Sequence, residues 1–235
     1  MSSQDILHLI QTRRAVIFDL DGTLYDSARL PMRLILGDPL HVLMLQAERK
    51  SRSLLAGRPF PSADAFYQSL FEEMGYRCHC APEKARCWYE GRYMPLMTQL
   101  LARHYTMRPS LEEFLHTLRQ QGVKLAVFSD YGSVEEKLRA LKIDPEWFDL
   151  VTDAPTVGGL KPAAESFRAV CATLGVTPSE ALMVGDRLDT DGEGALSVGM
   201  PYLRIYKNPK SARKTAPDSR FASILWEEWM QIMGF

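Results

Sequence analysis

Ala15-Val16-Ile17-Phe18-Asp19-Leu20-Asp21-Gly22-Thr23 is the stretch on which the fold turns. Its first four residues are apolar and partly β-branched, as a strand buried on both faces of a parallel sheet requires. The run stops at two aspartates, and Gly22 allows the sharp turn that an exposed strand end needs. Residues two apart on extended backbone point to the same side, so the Asp19 and Asp21 carboxylates are expected to face one reacting centre.

Similar apolar runs recur at residues 123–128, 150–152, 181–184 and 202–206. Helical segments separate them. Ser110 with Glu113, and Ser133 with Glu136, have capping-box spacing ahead of apolar stripes, and Gly122 stands where the first of these helices should stop. Pro162 is expected to open a third helix that closes at Gly175. A short leading helix carries Leu7 and Ile10. Strand and helix alternate from about Pro109 to Tyr206, which predicts an α/β fold with a doubly wound parallel sheet.

Residues 25–105 read differently. Phe66, Leu70, Phe71 and Met74 follow helical spacing, as do Trp88, Tyr89 and Met97, with no convincing strand among them. These side chains are expected to pack a core rather than line a ligand box. The predicted organisation is therefore a core of residues 1–24 and 106–235 with an all-helical domain of residues 25–105 inserted after the first strand.

The chain has 235 residues, 46% of them hydrophobic and 24% charged, enough to bury a real core. A net charge of −1 gives no general reason to expect a nucleic-acid or membrane partner. No apolar run spans a bilayer and residues 1–14 do not resemble a signal peptide, so a cytoplasmic location is expected. Cys78, Cys80, Cys87 and Cys171 lack the paired spacing of a structural zinc site and are expected to stay reduced. Between Asp26 and Arg103 there are 11 basic and 8 acidic residues, the densest basic cluster being Arg49-Lys50-Ser51-Arg52. This balance could attract anions or simply solvate a surface. Lys207-Asn208-Pro209-Lys210 with Arg213-Lys214 reads as an exposed basic loop, and His79 and His104 as structural.

Four predicted strand ends carry polar residues where the apolar runs stop. They are Asp19 and Asp21; Ser129 and Asp130; Lys161; and Asp186, Asp189 and Asp191. Ligands of open α/β sheets bind outside the carboxyl ends of the strands, so these groups are expected to meet in one crevice. Asp19 and Asp21 repel unless a cation lies between them, and Asp186 adds a third oxygen donor. An all-oxygen set with room for water suits Mg²⁺ better than zinc. With Lys161 and Ser129 the parts hold a phosphoryl group, one carboxylate attacking phosphorus and the other handling the leaving-group proton.

Asp19-Leu20-Asp21-Gly22-Thr23 resembles the first motif of the haloacid dehalogenase superfamily, and Phe128-Ser129-Asp130 its second. Lys161-Pro162 resembles the third and Gly185-Asp186-Arg187-Leu188-Asp189-Thr190-Asp191 the fourth. The resemblance implies a Rossmann-like core with a helical cap of the family's first type. It further implies that Asp19 is the nucleophile, Asp21 the general acid/base, and Ser129, Asp130 and Lys161 the phosphoryl-binding set. Asp19, Asp21 through its backbone carbonyl, and Asp186 would hold Mg²⁺, with Asp191 acting through water and competing with Asp189 for the second acidic role. Aspartate at position 21 resembles the family's phosphatases and phosphomutases rather than its dehalogenases. The expected activity is hydrolysis of a small phosphorylated metabolite through an aspartyl-phosphate. A sugar-phosphate mutase, a receiver-like phosphoacceptor module and an inactive scaffold are the alternatives.

Overall fold

The computed structural model describes residues 3–206, Ala212, Asp218 and residues 220–235; the basic stretch at 207–210 and 213–214 lies outside the described residues. Six strands, β1 (Ala15–Phe18), β2 (Lys124–Ser129), β3 (Leu150–Asp153), β4 (Ala181–Gly185), β5 (Tyr202–Tyr206) and β6 (Ala222–Leu225), form one sheet. Its order is β3-β2-β1-β4-β5-β6, and every pair is parallel. The expected doubly wound α/β architecture is therefore present. β1 lies between β2 and β4, where the winding reverses, and the carboxyl ends of strands there open onto a crevice.

Burial explains the apolar runs. All four residues of β1 and all five of β4 are buried, because helices cover both faces of the sheet. On one face Phe114 of α7 (Leu111–Gln120) meets Phe18 edge-on at 6.5 Å and packs on Trp226 and Trp229 of the last helix, Trp226–Met233. On the other, Phe167 of α9 (Ala164–Leu174) meets Phe128 at 5.3 Å. Each such ring stabilises the fold by roughly 1.5–3 kcal/mol through burial alone.

Between β1 and β2 the chain forms α2 (Leu30–Gly37), α3 (Val42–Leu55), α4 (Ala63–Cys78), α5 (Pro82–Trp88) and α6 (Met94–His104). A wide π turn, Tyr89–Tyr93, joins α5 directly to α6. Phe66, Leu70, Phe71, Met74, Trp88, Tyr89 and Met97 are all buried, as core packing requires. The four cysteines are free thiols, Cys171 buried and Cys87 exposed. α1 (Ser3–Gln11) is the leading helix, and among the described residues no helix is long and apolar enough to cross a membrane.

Three local expectations are corrected. Ser110 and Ser133 precede helices but adopt left-handed backbone, φ 57° and 53°, and neither side chain caps. A side-chain cap needs extended backbone at that residue, which these tight entries do not provide. Pro162 stands ahead of α9, which begins at Ala164, because the Lys161 backbone N–H is tied to Asp130 Oδ1 at 2.9 Å and the turn belongs to the site. Gly122 and Gly175 do close their helices, with φ 77° and 67°. β6 had no signal in the sequence: four residues with a serine among them carry too little pattern.

Candidate active site

Asp19, Asp21, Ser129, Lys161, Asp186 and Asp191 all lie just beyond or at the ends of β1, β2 and β4, or in the loop after β3. Lys161 is central. It is 1% exposed, and its Nζ donates to Asp19 Oδ1 at 2.7 Å, Asp191 Oδ1 at 2.6 Å and the Phe128 carbonyl at 3.1 Å. Burial disfavours its charge, but Asp19 and Asp191 outweigh that and hold it firmly as an ammonium.

One ammonium does not neutralise the acids around it. Asp19, Asp186 and Asp191, all buried, bring carboxylate oxygens within 4.8 Å of one another. Burial first, with repulsion from Asp191 among the other causes, pushes Asp19 up to about 7 against the pull of Lys161. Burial, and repulsion from Asp186, likewise push Asp191 up to about 6. Such a cluster is short of positive charge. Its donors are all hard oxygens, so a magnesium ion fits them in chemistry and in charge.

The fourth motif resolves into distinct roles. Leu188–Gly192 is a wide π turn that carries Asp191 inward, while the Asp189 side chain is 69% exposed and paired with Arg187. Asp191 is thus the second acid of that motif in the cluster. Gly185 permits this approach: a Cβ there would lie 2.3 Å from Asp191 Oδ2. Such short wide turns recur at functional sites.

Asp21 occupies a separate setting. It lies past the end of β1, so the alternation of a strand does not govern its direction. Its Oδ1 accepts from the Tyr25 hydroxyl at 2.6 Å and its Oδ2 from Lys137 Nζ at 3.1 Å, with Ser129 Oγ at 3.4 Å. Burial acts to raise its pKa, but Lys137 and the Tyr25 hydrogen bond prevail and hold it below the usual carboxylate range. The third carboxylate beside Asp19 and Asp186 is therefore Asp191 and not Asp21, whose side chain is engaged elsewhere. Asp130, expected in the phosphoryl-binding set, accepts from the Lys161 N–H through its carboxylate and so ties that loop to the end of β2.

Lys137, Tyr25 and Arg52 were not among the residues expected at the site. Lys137, in α8 (Val134–Ala140), did leave a trace, since Val134, Lys137, Leu138 and Leu141 share helical spacing and all four are buried. A lysine within an apolar stripe is buried for a reason. Arg52 of α3 is buried, paired with Glu48, and donates to the Asp130 carbonyl at 2.8 Å and to the Tyr89 hydroxyl at 2.6 Å. Its guanidinium lies 4.3 Å from the Tyr131 ring centroid. The basic cluster at 49–52 therefore splits: Arg49 and Lys50 face solvent, and Arg52 ties the helical segment to the end of β2.

A family model for haloacid dehalogenase-like hydrolases matches residues 13–199. The chain belongs to this family. Among curated relatives, it is 36% identical over 219 residues to the ribulose-1,5-bisphosphate 5-phosphatase of Halopiger xanaduensis, covering 87% of this chain and 89% of that one. It is 26% identical over 204 residues to the glyceraldehyde 3-phosphate phosphatase of Methanocaldococcus jannaschii, covering 83% and 85%. The solved structure of CbbY from Rhodobacter sphaeroides in complex with phosphate shares the fold, with TM-score 0.65 and 19% identity over 90% of this chain and 93% of that one.

For this haloacid dehalogenase-like chain the acid cluster makes a stability prediction. Folded Asp19 and Asp191 hold protons up to about 7 and about 6, whereas an unfolded aspartate releases them near 3.8. Their contribution to stability therefore falls as pH rises from about 4 to about 7, where the unfolded chain has released protons that the folded one retains. A bound cation displaces those protons. We expect Mg²⁺ to raise Tm more at pH 8 than at pH 5, measured by scanning calorimetry; an equal rise at both would rule out these carboxylates as its ligands.

Proposed function

We propose that this chain is a Mg²⁺-dependent phosphatase that hydrolyses a small phosphorylated metabolite through an aspartyl-phosphate on Asp19. The observation that carries the reading is the pairing of two charge systems at one crevice. One is the buried Asp19–Asp186–Asp191 cluster with Lys161, and the other is Asp21 with Lys137 and Tyr25. Family membership and the phosphatase names of the relatives support it.

In this reading Asp19, Asp186 and Asp191 would hold the ion, which would supply positive charge against the phosphoryl oxygens. Lys161 and Ser129 position the same group. An Asp19 carboxylate oxygen attacks phosphorus, and the bond from phosphorus to the leaving oxygen breaks while Asp21, which takes up a proton when the anionic phosphate binds beside it and opposes its charge, delivers that proton there. Asp21, now a carboxylate, takes a proton from water; the water oxygen bonds phosphorus and the bond to Asp19 breaks. Free phosphate and an alcohol result. Residues 25–105 serve as a cap over the crevice, held on the core by Arg52, and keep bulk water from the phosphoenzyme.

The test is phosphate release from a panel of phosphorylated metabolites with Mg²⁺ and with a chelator. Release is expected only with the metal and should return when Mg²⁺ is restored. Turnover that survives the chelator would refute the metal dependence.

A further inference from the structure

A cavity of about 390 Å³ lies between the helical segment and the crevice. The core contributes Asp21 and Tyr131 to its lining, and residues of α2, α3 and α6 supply most of the rest. The cavity therefore begins at the group that, in the phosphatase reading, protonates the leaving oxygen. Whatever fills it is the leaving group.

Its walls are mainly carbon. Leu30, Leu34, Leu45 and Met97 form the buried wall, together with the partly exposed Val42; Ser27, Tyr93 and Tyr131 add hydroxyls to it, and Arg29, Gln46 and Arg49 are exposed residues at the mouth. A polyol placed here would lose water from each hydroxyl and find few partners inside, at a cost for every unmatched group. The outer wall stays apolar to the surface. Ile35 lines the cavity and is 43% exposed, and Leu36, Leu40 and Leu43 beyond it are 72%, 91% and 73% exposed. Four large apolar side chains left in water over nine residues are more than a solvated helix face needs.

We propose that the substrate is the phosphate monoester of an apolar alcohol, alkyl or aryl, whose body occupies this cavity while the arginines at its mouth favour the approach of the anionic phosphate. The assignment rests on the phosphatase reading for the placement of the phosphoryl group. Specificity then comes from desolvated carbon against Leu34, Val42 and Leu45.

The experiment uses n-alkyl phosphates from ethyl to hexyl, with sorbitol 6-phosphate as the polyol that matches hexyl in carbon count and acetyl phosphate, whose acetate leaves readily without help from the cavity wall, as the control for the phosphoryl step. Leaving-group acidity barely changes along the alkyl series, so a slope reports the wall. We expect kcat/KM to rise about fourfold per methylene, the factor for burying one in an apolar site, and hexyl phosphate to exceed sorbitol 6-phosphate by at least tenfold. Ile35→Asn and Val42→Asn, both at partly exposed positions, should flatten the slope. Binding of n-hexylphosphonate against ethylphosphonate, measured by calorimetry, gives a readout that needs no turnover.

A flat slope or a preference for the polyol, with acetyl phosphate still hydrolysed, would overturn the apolar assignment and leave the phosphatase reading standing. No turnover of any ester, with hexylphosphonate still bound more tightly than ethylphosphonate, would overturn the phosphatase reading and keep the apolar pocket. Equal binding of the two phosphonates without turnover would sink both.

Discussion

Asp19→Asn should reduce phosphate release by on the order of 10⁵- to 10⁶-fold, the scale seen when a covalent nucleophile is removed. Folding should not suffer. The side chain lies in a cluster of three buried carboxylates, two of which, Asp19 and Asp191, share Lys161, and burial with like-charge repulsion pushes Asp19 up to about 7. Asparagine removes one negative charge there and keeps an oxygen that can accept from Lys161. Above pH 7, in the absence of metal, we therefore expect the variant to melt no lower than the parent. The two readouts separate chemistry from stability: full activity would sink the aspartyl-phosphate mechanism, and a large fall in Tm would mean that the lost activity reports unfolding.

Asp21→Asn should slow turnover by about 10²- to 10⁴-fold, the usual range for a positioned acid/base. Lys137→Met gives the sharper test, because the ammonium of Lys137 is paired with the Asp21 carboxylate. Burial raises the Asp21 pKa, while Lys137 and the Tyr25 hydroxyl lower it to below the ordinary range. Removing the ammonium, 3.1 Å from Oδ2 and fully buried, lets burial prevail. The Asp21 carboxylate then protonates at higher pH, so the acid limb of the pH–kcat profile should move upward. Tyr25→Phe should move it the same way by less. Should the limb stay fixed in Lys137→Met while kcat falls, Asp21 is not the titrating base and Lys137 is merely structural.

Much of the sheet was legible because its strands are buried on both faces. Ala15–Phe18 and Ala181–Gly185 each carry an unbroken apolar run that a half-exposed strand could not tolerate. Helix entries were less legible. Serine three residues ahead of glutamate is a capping box only when the serine backbone is extended, and at Ser110 and Ser133 it is left-handed, which the spacing does not encode. Among the described residues β6 pairs only with β5 and is four residues long, so its pairing comes from the sheet edge already present and not from its own pattern.

Asp19, Ser129, Lys161 and Asp186 were readable from sequence for a simple reason. Each follows an apolar strand or its loop, and a parallel sheet delivers all such ends to one side. The sequence alone thus determined the parallel architecture, which end carries the polar groups, and the residue types gathered there. Tertiary structure decided how those groups divide. Asp191 joins the buried cluster and Asp189 faces solvent because a wide π turn, made close by Gly185, points one inward. Asp21 is set apart from Asp19 by Lys137, which arrives from a helix 116 residues later in the chain. Charge pairing across such separations depends on distances of about 3 Å between side chains, and no local spacing encodes them. The opening Asp19-Leu20-Asp21 motif names two acids; only packing gives each its own cation.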